Sequence, residues 1–156
     1  MRKANRIRTI QGSLAIEGNT LSTEQIKAIL NSKVVIAPPK EVQEVRNTIK
    51  AYEAFQQWRP SQEVDLLQAH QILMTGLIDE VGQYRHGGVG VMSGDRVVHI
   101  ASPTNQINRL MADLLDWLND SEEYPLIQSS VFHYEFEFIH SFAEMLMVEW
   151  VDYGKH

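Results

Sequence analysis

The chain has no cysteine. Disulfide bridges and thiolate metal sites are therefore excluded, and a reducing cytoplasm is the expected compartment. No apolar run approaches the ~20 residues that a membrane span needs, so no membrane partner is expected. The basic start MRKANRIRTI is not followed by an apolar h-region, so a signal peptide is not expected either. Positive charge is also short. Fourteen Lys and Arg face 20 Asp and Glu, for a net charge of −6. No basic field exists to neutralise a phosphate backbone, which argues against nucleic acid as the main partner. A single nucleotide held by a local site is still compatible with that charge. No internal repeat or low-complexity tract is present.

What the chain does have is an ordinary globular composition, 44% hydrophobic and 22% charged over 156 residues. That is enough for one domain with a real core. Most of it reads as helix. The stretch SLAIEGN (13–19) looks like the end of a first helix, with Gly18 at the stop. Ser22 and Gln25 form a capping box that opens a short helix to about Leu30. The segment VVIAPPK breaks it, because prolines fix φ and remove donors. Val42, Val45, Ile49, Tyr52, Ala54 and Phe55 then recur at helical spacing between about Lys40 and Trp58. Pro60 and Ser61 separate that helix from the next. Its apolar stripe is Leu66, Leu67, His70, Leu73, Met74 and Leu77.

The middle changes character. GQYRHGGVGVMSGDRVVHIASP (82–103) holds five of the nine glycines, and its alternation around a Gly-Asp turn predicts a β-hairpin. Pro103 closes it. Ile107, Leu110, Met111, Leu114, Leu115 and Leu118 give another helix, and a last helix is expected from about Ser129 to Ile139. The expected fold class is mainly α, a helical bundle with one small hairpin.

Three places could carry chemistry. Glu17 is either a solvated helix-terminal carboxylate or a functional one. The hairpin is either structural or an exposed edge that pairs with a peptide or grips a nucleotide. His133, Glu137 and His140 lie four and three residues apart, so all three would share a helix face. That spacing suits a metal face of an all-α regulator, although the second helical cluster that a bundle metal site needs is missing. His140 at the helix end suits a general base instead, or a half-buried capping histidine.

In combination these segments resemble the Fic family, enzymes that move AMP from ATP to a protein hydroxyl. The family signature is H-P-F-x-D/E-G/A-N-G-R. In FIHSFAE, His140, Phe142 and Glu144 fall in register, and Ser141 stands where proline is usual. GQYRHGGVGV and HIASPTNQINRLMADLLDWLN resemble the family's flap hairpin and the helix after it. SLAIEGN is similar to the inhibitory motif S/T-x-x-x-E-G/N, with Ser13, Glu17 and Gly18 in its places. The resemblance covers about residues 8–144.

The resemblance implies a Fic-type bundle, residues 1–30 as an N-terminal inhibitory helix region and 31–156 as an incomplete core, within one structural domain. It implies His140 as the catalytic base and Glu144 as the Mg²⁺-holding carboxylate. It implies a flap at about Gly88 to His99, with Val97, Val98 and His99 against the nucleotide. It makes ATP and Mg²⁺ the cofactors and a protein with a Ser, Thr or Tyr hydroxyl the partner, with a homo-oligomer possible.

The signature breaks after Glu144, where Met145-Leu146-Met147-Val148 replace G/A-N-G-R. Back-translating EMLMVEWVDYGKH and shifting the frame allows D-A-N-G-R-M-G-R-L-W-Q-T, and fixed bases force both glycines. The expectation is a frameshift inside the motif, giving a C-terminal part that is missing or divergent. Such a chain would be an inactive transferase. The alternative is a catalytically dead protein-binding remnant that docks through the hairpin.

Overall fold

A computed structural model describes residues 3–88, 90–93 and 96–143; for residues 3, 4 and 90–99 it describes the main chain alone. Six α-helices and one antiparallel strand pair make up these residues. They are α1 (Lys3–Ile16), α2 (Thr23–Leu30), α3 (Pro39–Ala54), α4 (Glu63–Met74), β1 (Gly90–Ser93), β2 (Arg96–Ile100), α5 (Thr104–Asp120) and α6 (Pro125–Ile139). One 3-10 turn, Phe55–Gln57, extends α3. The fold is mainly helical, as the periodicity requires.

Local chemistry sets the boundaries. Gly18 has φ +84°, the left-handed geometry that ends α1 at little steric cost. The Ser22–Gln25 capping box forms in both directions and starts α2. Pro103 is the N-cap residue of α5. The last helix differs from the sequence expectation. It starts at Pro125, four residues before Ser129, because a proline at the first helical position has no N–H to leave unpaired and a φ already suited to helix.

The helices bury three apolar clusters. The first joins α1, α2 and α3 through Ile10, Leu14, Ile26, Ile29, Val45 and Tyr52. A second gathers α5 and α6 with Leu66 of α4, using Ile107, Met111, Leu114, Phe132, Phe136, Ile139 and Phe142. Phe132, Phe136 and Ile139 are 2%, 7% and 3% exposed and form the inner face of α6. A third, smaller cluster lies between α3 and α4. Each fully buried large side chain contributes roughly 1.5–3 kcal/mol. The other face of α6 keeps Ile127, Val131, Tyr134 and Phe138 exposed.

Buried amides lace the helices together. Asn47 on α3 donates to the carbonyls of Leu73 and Thr75, both at 2.8 Å, and accepts from Gln43 at 2.9 Å. Those carbonyls belong to the end of α4, where no helical N–H remains to serve them. Asn19 plays a similar part, donating to the Glu44 carboxylate at 2.8 Å and to the Glu41 carbonyl at 3.1 Å.

Replacing Asn47→Ala should lower unfolding stability by about 1–3 kcal/mol, since it strands the buried Leu73 carbonyl and leaves that of Thr75 only the longer bond from Gln43. Glu123→Ala on the surface should stay within about 0.5 kcal/mol. Urea unfolding of both variants checks the contrast.

Candidate active site

The turn after α6 carries His140. It is the C-cap residue, with φ 51° and ψ 58°, and its N–H donates to the Phe136 carbonyl at 3.0 Å. This left-handed conformation is uncommon for a residue with a Cβ, and it ends the helix there. It also corrects one sequence reading. His140 has left the helical register, so the shared face with His133 and Glu137 does not exist. His133 and Glu137 are exposed on α6. Among the described residues no group of three or more His, Cys, Asp or Glu could hold a metal ion.

Arg85 holds this turn from below. It is 3% exposed and lies on the glycine-rich stretch before β1. Its Nε donates to the His140 carbonyl at 2.5 Å, one terminal nitrogen to Gly87 at 2.7 Å, and the other to Ser102 at 2.5 Å. Its own N–H donates to the Ser141 carbonyl at 3.0 Å. Desolvation lowers its pKa from the usual arginine value, and the guanidinium is still charged at neutral pH.

Phe142, the motif's aromatic, is 3% exposed. It stacks on His70 of α4 with ring centroids 4.0 Å apart and planes at 10°. Tyr84 and Phe136 pack on it at 5.4 and 6.0 Å. His70 accepts at Nδ1 from Gly82 N–H at 2.9 Å, so the proton of its neutral ring is on Nε2. Gly82 has φ +68°, and a Cβ there would meet the Gln71 Cβ at 3.1 Å. Between them, the two motif residues His140 and Phe142 are fixed by Arg85 and His70.

Ser141 is 1% exposed, and its hydroxyl has no hydrogen-bond partner among the described residues. The family's proline would place no hydroxyl there. The two strands that flank the predicted turn are present and paired as backbone. Gly90 pairs with Ile100, Val91 with His99, Met92 with Val97 and Ser93 with Arg96, with an irregularity between Val91 and Met92. The strand holding Val97, Val98 and His99 is therefore paired on one edge. The Gly-Asp turn and Glu144 lie outside the described residues.

Glu17 and Gly18 form an exposed turn after α1, and Ser13 is half-buried on that helix. Their helix packs through Ile10 and Leu14 into the α1–α2–α3 cluster, whereas Ile139 and Phe142, on either side of the His140 turn, belong to the α5–α6 cluster. Arg85 and His70 were not singled out as site residues by sequence reasoning. His70 was legible as an inward position of the α4 stripe. Arg85 had only its place in a glycine-rich segment, and its partner His140 is 55 residues away.

Two outcomes follow for this site. Ser141→Ala should raise stability by about 1 kcal/mol, because it removes a buried hydroxyl without a partner; differential scanning calorimetry reads it. The Tyr84 phenol donates to Glu63 at 2.9 Å, and burial first, then that bond and the negative charge of Glu63, raise its pKa. A phenol whose folded pKa lies above its unfolded value of about 10 stabilises fully below that pH and loses the contribution as pH rises past it. Urea midpoints measured between pH 8 and 11 should fall more steeply for the native chain than for Tyr84→Phe.

Comparison with known proteins places this geometry. Residues 60–144 match the Fic/DOC family model. Protein adenylyltransferase fic-1 of Caenorhabditis briggsae is 32% identical over 146 residues, covering 85% of this chain and 27% of that protein. The Caenorhabditis elegans fic-1 is 32% identical over 144 residues, with the same coverage. The chain thus spans about a quarter of the length of these curated relatives. A crystal structure of a Fic family protein from Desulfovibrio desulfuricans G20 superposes with a TM-score of 0.82 at 57% identity, over 90% of this chain and 43% of that one. With its histidine turn, its hairpin and more than half its length in register, the chain belongs to the Fic/DOC family.

Proposed function

We propose that this chain carries the base-and-flap part of a protein adenylyltransferase. The observation that carries the reading is His140, held in a left-handed turn whose carbonyl shares one arginine with both feet of the hairpin. In the proposed reaction, His140 takes the proton of a Ser, Thr or Tyr hydroxyl on a target protein. That oxygen attacks the α-phosphorus of ATP, a new O–P bond forms, and the bond to the β-phosphate breaks. AMP stays on the target and pyrophosphate leaves. The hairpin, through Val97, Val98 and His99, pairs with the target segment and lies over the nucleotide. A strand edge that no third strand occupies among the described residues suits that role, because main-chain pairing needs no particular target sequence.

Mg²⁺ commonly takes one or two carboxylates plus phosphate oxygens and water, not a dedicated protein cage. Glu144 is the carboxylate in register, and the described residues hold no multi-ligand cluster that would compete with it. When bound, the ion supplies neutralisation of phosphate charge. The chain's own share is the base, the pairing edge and the orientation of both.

Nucleotidyl transfer depends chiefly on positioning and charge neutralisation. Met145-Leu146-Met147-Val148 offer neither the glycine-rich anion hole nor the arginine of the family motif. The chain as given therefore transfers AMP very poorly. Residues 1–30 are the inhibitory region, in which Glu17 competes with the nucleotide's outer phosphate for the motif arginine. A second reading, a protein-binding remnant, is favoured by that missing anion hole and by the exposed Ile127, Val131, Tyr134 and Phe138.

The test is a two-by-two assay of AMP incorporation with Mg²⁺-ATP. Glu17 or Glu17→Gly is crossed with the native tail or a frame-restored tail beginning A-N-G-R. Restoration with Glu17→Gly should raise incorporation by about two orders of magnitude or more, and Glu17→Gly on the native tail should change almost nothing. Equal activation by Glu17→Gly on both tails would refute the arginine-pairing account. No incorporation in any of the four would leave the binding remnant as the reading.

A further inference from the structure

We infer that Arg85 is a positioning residue that holds the His140 turn and both feet of the hairpin in one frame, so that histidine and hairpin move together. The inference rests on His140 being the acting group. Its physical basis is the acceptor set. His140, Gly87 and Ser102 offer main-chain carbonyls to the three guanidinium nitrogens, and Ser141 offers a fourth to the Arg85 N–H.

These four carbonyls come from three separate places in the chain. Gly87 precedes β1 and Ser102 follows β2, so they bracket the whole hairpin. His140 and Ser141 end α6. The β1–β2 ladder joins the two feet of the hairpin to each other, and one main-chain bond, from the Arg85 N–H to the Ser141 carbonyl, reaches the end of α6. The Arg85 side chain adds the bonds that tie the His140 carbonyl to both feet at once.

Only arginine has the geometry for it. The guanidinium is planar and sends N–H groups in several fixed directions, so it reaches carbonyls on different segments at once. A lysine nitrogen keeps the charge but concentrates its donors at one point. The carbonyls also use the cation well. The last carbonyls of a helix lack internal partners and carry the negative end of its dipole. The left-handed backbone of His140 is unfavourable for a residue with a Cβ and persists only where the surroundings hold it. The bond from Arg85 to its carbonyl is one such hold.

The test uses the full chain and does not involve AMP transfer, so its outcome is separate from that of the enzymatic reading. Arg85→Lys and Arg85→Met are compared with the native chain by amide hydrogen exchange and by the backbone carbon shifts of His140. In both variants, exchange at residues 96–100 should rise about tenfold. The His140 shifts should leave their left-handed values, and Ile26 and Val45, in the other cluster, should keep native protection. If Arg85→Met does not fold, Arg85→Lys alone decides. Native hairpin protection and native His140 shifts in Arg85→Lys would overturn the inference, since charge alone would then suffice. An equal loss of protection at Ile26 and Val45 would overturn it too, because Arg85 would then be a general stabiliser.

Discussion

A buried guanidinium bonded to main-chain carbonyls is the constraint on which the rest of the site depends. Arg85 has little access to water, and a desolvated cation must find acceptors or be unstable. It finds them at the end of α6 and at the two feet of the hairpin. The arrangement satisfies the guanidinium and fixes where the histidine turn lies relative to the only strands among the described residues. The apolar cluster of α5 and α6 supplies the rigid floor, with Phe142 inserted between His70, Tyr84 and Phe136.

The His140 turn, the feet of the hairpin and the α5–α6 core are joined by packing and hydrogen bonds among the described residues. After Glu144 the sequence departs from the family motif. A base that is well placed gains little when the charge developing on the phosphates is not met.

Much of the fold was legible in the sequence because its signals are local. The Ser22–Gln25 box, Gly18 and the α5 stripe each act within one or two turns of helix. The start of α6 was misplaced because Pro125 reads as a breaker in isolation and as a helix opener only once Tyr124 is extended before it. The shared face of His133, Glu137 and His140 failed for a related reason. Spacing predicts a common face only while the backbone stays helical, and His140 does not. The buried amides and Arg85 were beyond local reading. Asn47 reaches 26 and 28 residues along the chain and Arg85 reaches 55, and their acceptors are carbonyls that every residue possesses. His140 and Phe142 were visible from the motif, but what holds them was not.

The most direct measurement is of the Arg85 Nε–H itself, by nitrogen-edited NMR on the unaltered chain. An arginine bonded as described should give a separate resonance, slow to exchange with water, with a scalar coupling across the hydrogen bond to the His140 carbonyl carbon. An Nε–H that exchanges as fast as those of exposed arginines, with no coupling to His140, would contradict the account.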